Sequence, residues 1–292
     1  RYRLTWARHA NSRTSQSEAW FGLAHNWTHS WQWEMVDEGR DSQGRAVLSV
    51  REPEGWVHRF TETSPGAWWS APSVRDHVIS DGNQFRLLRF DASEVQFTRQ
   101  RSGAGATFAA HAVIDPEGNR WKLTYDAGRL AQVTEPAGRW LKISYSELSA
   151  PLAAKGVKPF TVITQVAASD GQVVTYAYAF SAGTDYPVLT EASYPDGTKA
   201  TYVYTAPRQG TRLLLKQAID PRANRYVRGR IFSYCAEADA AIGQLSEIRT
   251  ADKGAILQTL GVDGTRLRSY AVRQDNGATV YRVFNPGGNT AE

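Results

Sequence analysis

"DPEGNRWKLTYDAGRLAQVTEPAGRWLKISY" (residues 115–145) states one phrase twice. Asp115–Pro116 and Glu135–Pro136 open the two copies, Gly118 and Gly138 follow at the same offset, and Tyr125 and Tyr145 close the strands that come next. Pro presets one turn position, and Gly supplies the positive φ that the next bend requires. Trp121, Leu123 and Tyr125 fall on one strand face, Lys122 and Thr124 on the other; Leu141, Ile143 and Tyr145 repeat the arrangement. The stretch predicts turn and strand in alternation.

The phrase recurs in "SDGQVVTYAYAF" (169–180), "YPDGTKATYVYT" (194–205) and "DPRANRYVRGRIFSY" (220–234). Gly171 and Gly197 take the turn position, and Tyr178, Tyr204 and Tyr234 close the strands. Between copies lie second strands: "GRLAQVTE" (128–135), "YPVLTEASY" (186–194), "RLLLKQAID" (212–220) and "GQLSEIRT" (243–250). The longest gap holds "SELSAPLAAKGVKP" (146–159), read as an inserted loop or an extended hairpin. Two strands per unit make a hairpin array, and one hairpin cannot bury its face without neighbours.

Ahead of the repeats, "WTHSWQWEM" (27–35) alternates strictly and predicts one half-buried strand. Shorter strands follow at 46–50, 55–60, 84–90 and 94–99, divided by sets rich in Gly, Pro, Asp and Ser. Only "CAEADAAIG" (235–243) suggests a helical turn or two. The expected fold is all-β, an array of repeated antiparallel hairpins forming a curved strip or part of a spiral barrel. Its expected divisions are a Trp-rich lead-in (1–110), the hairpin repeats (111–250) and a degenerate repeat (251–292) continuing toward a missing C-terminal part.

Composition narrows the function. The 292 residues carry 41% hydrophobic and 11% aromatic content, which excludes wholesale disorder. A single cysteine, Cys235, excludes an internal disulfide and reads as a small core filler. The net charge of +5 is spread along the chain without a basic run, so no nucleic-acid partner is expected. No 18-residue apolar run predicts a membrane-spanning helix. The start, "RYRLTWARHANSR", has no initiator Met and no apolar signal segment, which suggests an excised piece of a longer protein.

Candidate chemistry is sparse. His25 and His29 would suit a metal pair on a helix, but four strand residues separate them by roughly 13 Å. The acids at 81, 115, 170, 196, 220 and 263 occupy turns, where backbone hydrogen bonding explains them. No G-x-S-x-G, P-loop or H-E-x-x-H occurs. No catalytic residue, cofactor or metal is therefore expected. Eight of the ten tryptophans precede residue 70, which leaves two readings. Trp27, Trp31 and Trp33 read as core that plugs the start of the array, and "AWWS" (67–70) as a loop with Trp68 or Trp69 exposed for sugar stacking.

Residues 115–145 closely resemble the YD repeat of RHS-repeat proteins. Gly128, Arg129 and Leu130 match its Gly-Arg-Leu segment, and Tyr125–Asp126 its Tyr-Asp. "WARHANSR" (6–13) and "WFGLAHNWTHSWQWEM" (20–35) are similar to the non-repetitive segment that precedes such repeats. Here Gly22, Leu23, Ala24 and His25 replace the Gly-Pro-Gly usual before the Trp. The resemblance implies a spiral shell enclosing a C-terminal passenger, as in bacterial polymorphic toxins and Tc complexes, and a secreted or cell-surface address. The self-cleaving Asp-Pro-Gly-Leu signature of such shells does not occur in this sequence. The alternatives are a carbohydrate-binding surface adhesin and, further off, a hydrolase in an irregular β fold.

Overall fold

The computed structural model describes residues 3–10, 22–24, 27–70, 74–82, 84–101, 105–149, 159–180, 187–205, 214–222, 229–234, 245–250, 256–263, 266–273 and 279–283. The described residues form antiparallel strands and turns throughout, so the all-β hairpin array is the fold. The chain divides into two compact units: 1–9, 27–145 and 163–173 in the first, and 10–26, 146–162 and 174–292 in the second.

In the first unit, a short ribbon of β1 (Arg8–Ala10) and β2 (Trp27–His29) precedes the main sheet. Eight strands then follow: β3 (Glu34–Arg40), β4 (Ala46–Arg51), β5 (Val57–Ser64), β6 (Ala67–Trp69), β7 (His77–Asp81), β8 (Gln84–Leu88), β9 (Glu94–Arg101) and β10 (Thr107–Ile114). Each pairs with the next, and β10 returns to pair with β3, so these eight close into a ring. An eight-stranded ring is just wide enough for side chains to fill. Met35, Phe60, Val78, Phe85, Val95, Phe97 and Phe108 are buried in it. Phe85 meets Phe108 at 4.7 Å and Trp68 at 5.6 Å between ring centroids, linking β6, β8 and β10. The ring is a packed barrel.

One edge of β10 is shared end to end by two strands. Thr107–Ala109 pair with Val36, Met35 and Glu34 of β3, while Ala112–Ile114 pair with Lys122, Trp121 and Arg120 of β11 (Arg120–Asp126). At Ala110–His111 the closed ring ends and the strip begins. The strip continues through β12 (Arg129–Thr134), β13 (Trp140–Leu148) and β14 (Phe160–Ala168); of the last two, residues 140–145 and 163–168 belong to this unit.

The second unit continues the hairpins: β15 (Val173–Phe180), β16 (Pro187–Ser193), β17 (Lys199–Tyr204), β18 (Leu215–Ile219), β19 (Gly229–Tyr234), β20 (Leu245–Thr250), β21 (Ile256–Asp263), β22 (Arg266–Arg273) and β23 (Thr279–Val283). From β15 to β23 each strand pairs antiparallel with the next.

Several local expectations change. The strand expected over 27–35 is two strands, because the chain turns at Ser30–Trp31, where Gln32 N–H donates to His29 O at 2.8 Å. Trp31, Trp33 and Met35 keep their buried alternation across the break, but Thr28 is buried as well. "AWWS" is strand β6, with only its last residue beyond it. The strands expected at 55–60 and 84–90 leave Trp56 and Phe90 in turns, both well exposed. Strands β10 and β14 fall where none was expected. The 146–159 loop begins two residues inside β13's described end, with 150–158 outside the described residues. The helical expectation at 235–243, Cys235, Trp20 and His25 also lie outside them.

Candidate functional site: tyrosine-capped hairpins

The acid-x-x-Gly-x spelling folds into one turn. Asp115 N–H donates to Asn119 O at 3.0 Å, and Gly118 N–H to Asp115 O at 2.9 Å. This is a type I turn closed by a left-handed residue. The Asp115 carboxylate accepts from the backbone N–H of Glu117 (3.1 Å) and Asn119 (2.9 Å) and from Asn119 Nδ2. Burial alone would raise its pKa; the Asn119 and Glu117 bonds outweigh that and hold it below the usual carboxylate range. Glu135, Gly138 and Arg139 repeat the backbone pattern, with Arg139 Nη2 on Glu135 Oε2 at 2.8 Å. Gly118 (φ 84°) and Gly138 (φ 88°) have open space beside them, so conformation alone selects Gly there. Pro116 and Pro136 occupy the second, exposed turn position.

The same backbone turn occurs at Ala168–Gln172 with Gly171 and at Tyr194–Thr198 with Gly197. It also occurs in the lead-in, at Asp41–Arg45, Glu52–Trp56 and Arg89–Ser93. Ala92, at φ 64°, stands in the last of these where the others place Gly. A different turn, Ala127 (φ 46°) with Gly128 (φ 77°), joins β11 to β12, both central residues having the positive φ of a type I′ hairpin. Arg129 is exposed beside it, and Leu130 is buried.

The tyrosines have a second task that spacing alone did not disclose. Tyr125 Oη donates to Ala110 O at 2.8 Å, Tyr145 Oη to Leu130 O at 2.9 Å, and Tyr204 Oη to Leu189 O at 2.8 Å. Each bond spans fifteen residues, from one strand to the strand before it. Each accepting residue sits at a β-bulge. Pairing shifts between Ala110 and Ala112, so His111 is extra; Tyr125 opposes Leu130 and Tyr178 opposes Leu189, so Ala131 and Thr190 are extra. The described pairing with the following strand resumes at Ala112, Gln132 and Glu191, two residues beyond each capped carbonyl. The phenol supplies the hydrogen bond where the ladder does not, and a buried carbonyl left bare is costly. Burial raises the pKa of Tyr125 and Tyr145, so both hydroxyls remain donors. Tyr234 ends β19 opposite Leu245, again beside a register shift.

The tryptophans separate. Trp27, Trp31, Trp33 and Trp68 are buried, whereas Trp69 is 47% exposed and stacks on His77 at 4.3 Å with a 10° interplanar angle. Trp69 is thus the one of the two sugar-stacking candidates with a free surface.

A cluster not singled out from sequence ties three connections of the ring together. Arg89 lies between Glu52 (Nη2–Oε2 3.3 Å) and Asp76 (Nε–Oδ2 3.4 Å), and His58 Nε2 lies 3.3 Å from Glu52 Oε1. Phe90 N–H donates to Asp76 Oδ1 at 2.9 Å. Burial raises the Glu52 pKa against the pull of Arg89 and His58. The two carboxylates share an arginine, which makes them a structural ion cluster. Their separation along the chain gave no sequence signal. Among the described residues no three His, Cys, Asp or Glu side chains gather as a metal set, and no helix is long and apolar enough to cross a membrane.

No known protein family and no curated protein matches the chain. Among solved structures it is similar to that of TcdB2–TccC3 at 12% identity and TM-score 0.38, over 94% of this chain and 21% of that one. It thus spans about a fifth of that chain's length. It is also similar to a porin-like protein from Bacteroides uniformis at 12% identity and TM-score 0.30, over 87% of this chain and 94% of that one. The N-terminal domain of the effector SpvB from Salmonella typhimurium strain LT2 matches at 12% identity and TM-score 0.20, over 96% of this chain and 94% of that one.

Proposed function

We propose that the chain is a length of RHS-type shell wall, a non-catalytic scaffold whose hairpins enclose a C-terminal passenger domain of the same polypeptide, a toxin in a secreted or cell-surface bacterial protein. One observation carries this reading: the fifteen-residue tyrosine bond recurs with the same bulge beside it. It makes each hairpin a standard part joined to the last through backbone geometry. A wall can be extended by such parts without changing their spelling. The acids of the repeat also spend their oxygens on their own turns, as Asp115 does on Glu117 and Asn119. Because the eight-stranded ring is filled, enclosure in this reading falls to the strip that continues from β11.

The test is protease protection in the natural full-length polypeptide. Sequence downstream of residue 292 should survive a digestion that destroys the same segment expressed alone. Equal digestion of the two, or a polypeptide with no such segment, would overturn the shell.

Carbohydrate binding at a cell surface is the second reading, favoured by Trp69, whose ring is held by His77 with surface to spare. It expects a glycan-array signal that Trp69→Ala abolishes. A blank array sinks it.

A further inference from the structure

The ring's tryptophan-bearing end carries a strap. Ser30 N–H donates to Ala7 O (3.0 Å), Ala7 N–H to Ser30 Oγ (3.0 Å), and Ser30 Oγ and Trp31 Nε1 both donate to Thr5 O, at 3.1 and 2.8 Å. Thr28 Oγ1 donates to Pro53 O and so fastens β2 to the Glu52–Trp56 turn. At the centre of the strap is His29, 1% exposed, with Trp6 stacked on its ring at 4.4 Å. Its Nδ1 accepts the N–H of Trp31 at 3.3 Å. That bond requires a neutral imidazole with a bare Nδ1.

We propose that residues 3–10 and 27–31 form an acid-released latch on the first unit, opened by protonation of His29. A proton on Nδ1 replaces the acceptor of Trp31 N–H with a second donor. It also places a cation where water is excluded. The groups facing His29 compensate only in part. From β1 comes His9, itself partly buried, whose Nε2 has no hydrogen-bond partner among the described residues. From the 52–56 turn comes Glu54, which acts on His9; the Gln32 side chain hydrogen-bonds His29 and favours its charged form, but less than burial opposes it. The Trp6 face offers a cation some relief, but it does not restore an acceptor to the Trp31 N–H.

Burial, with His9 adding to it, lowers the pKa of His29 from 6.5 to about 3. The closed latch therefore binds fewer protons than the open one. Its stability is fully present above pH 6.5 and is lost as pH falls from there toward about 3. At about pH 5 the closed state is disfavoured roughly thirty-fold relative to neutral pH. This inference does not rest on the shell reading.

The experiment is hydrogen exchange on the whole chain at about pH 7.5 and about pH 5, corrected for intrinsic rates. The Ser30 and Trp31 amides should lose about thirty-fold in protection while β8 and β9 keep theirs. In His29→Phe the loss should vanish. Equal protection of Ser30 and Trp31 at both pH values overturns the latch, and so does parallel loss in β8 and β9, which is global unfolding. If His29→Phe does not fold, proton NMR of the wild-type His29 ring decides: a midpoint near the ordinary 6.5 refutes the proposal, and a ring neutral until the latch opens supports it.

Discussion

Replacing Phe108 with Ala is expected to destabilise the protein by about 3–5 kcal/mol. Phe108 is 1% exposed, lies edge-on to Phe85 and carries the Arg99 guanidinium 5.4 Å above its ring. It also stands in the three-residue stretch that closes the ring, opposite Met35 of β3. Deletion of its side chain removes apolar burial and leaves a cavity beside the short ladder that closes the ring. A lower denaturant midpoint at unchanged slope would register the loss. Phe90→Ala is the control. Phe90 is 70% exposed in the β8–β9 turn, and its removal should stay within about 0.5 kcal/mol. A Phe108→Ala cost as small as the control's would mean that the ring is not packed.

Phe108 also marks the limit of what the sequence disclosed. The turns were legible, because an acid, a Pro and a Gly at fixed offsets have few backbone solutions, and Asp115 and Glu135 adopt the expected one. The inward faces of β8 and β9 were legible too, since Phe85, Leu87, Val95 and Phe97 alternate with polar residues. The strand β10 was not. "TFAAHAVI" has three alanines and no clean alternation, because its neighbours cover both faces: Phe108, Ala109, Ala110, Ala112 and Val113 are all buried. Period-two reasoning detects half-buried strands and misses those covered on both sides. The break at Ser30 was hidden for the opposite reason. Trp31, Trp33 and Met35 do alternate in burial with their neighbours, but the turn that Gln32 N–H closes onto His29 O is held by bonds to Thr5 and Ala7, more than twenty residues earlier. The repeat turn at Asp41 and Glu52 was visible only as a generic divider, since no Tyr-ended strand follows either one. Of the repeat residues, sequence gave Tyr125, Tyr145 and Tyr204 a face; the purpose of the hydroxyl emerged only with the bulges.

That purpose predicts what Tyr→Phe does. Phenylalanine keeps the ring and its burial and removes the donor alone, so the effect isolates one hydrogen bond. Tyr125→Phe should cost about 1–3 kcal/mol, because it leaves the Ala110 carbonyl bare at a residue with no exposure. Tyr204→Phe should cost about the same, for Leu189 is equally buried. These two sites lie in different units and share no described partner, so the double variant should match the sum within about 0.5 kcal/mol. Tyr125 with Tyr145 should not add, since burial and then the neighbouring Tyr145 raise the Tyr125 pKa. A pH consequence goes with this. A phenol whose folded pKa is raised above 10.0 gives a contribution that is complete below that value and declines as pH climbs past it toward the folded pKa. Wild type should therefore lose stability above about pH 10 more steeply than the Tyr125→Phe variant. Were Tyr125→Phe, Tyr145→Phe and Tyr204→Phe all neutral, phenylalanine would serve the repeat as well as tyrosine, and the fifteen-residue bond could not be what joins one hairpin to the next.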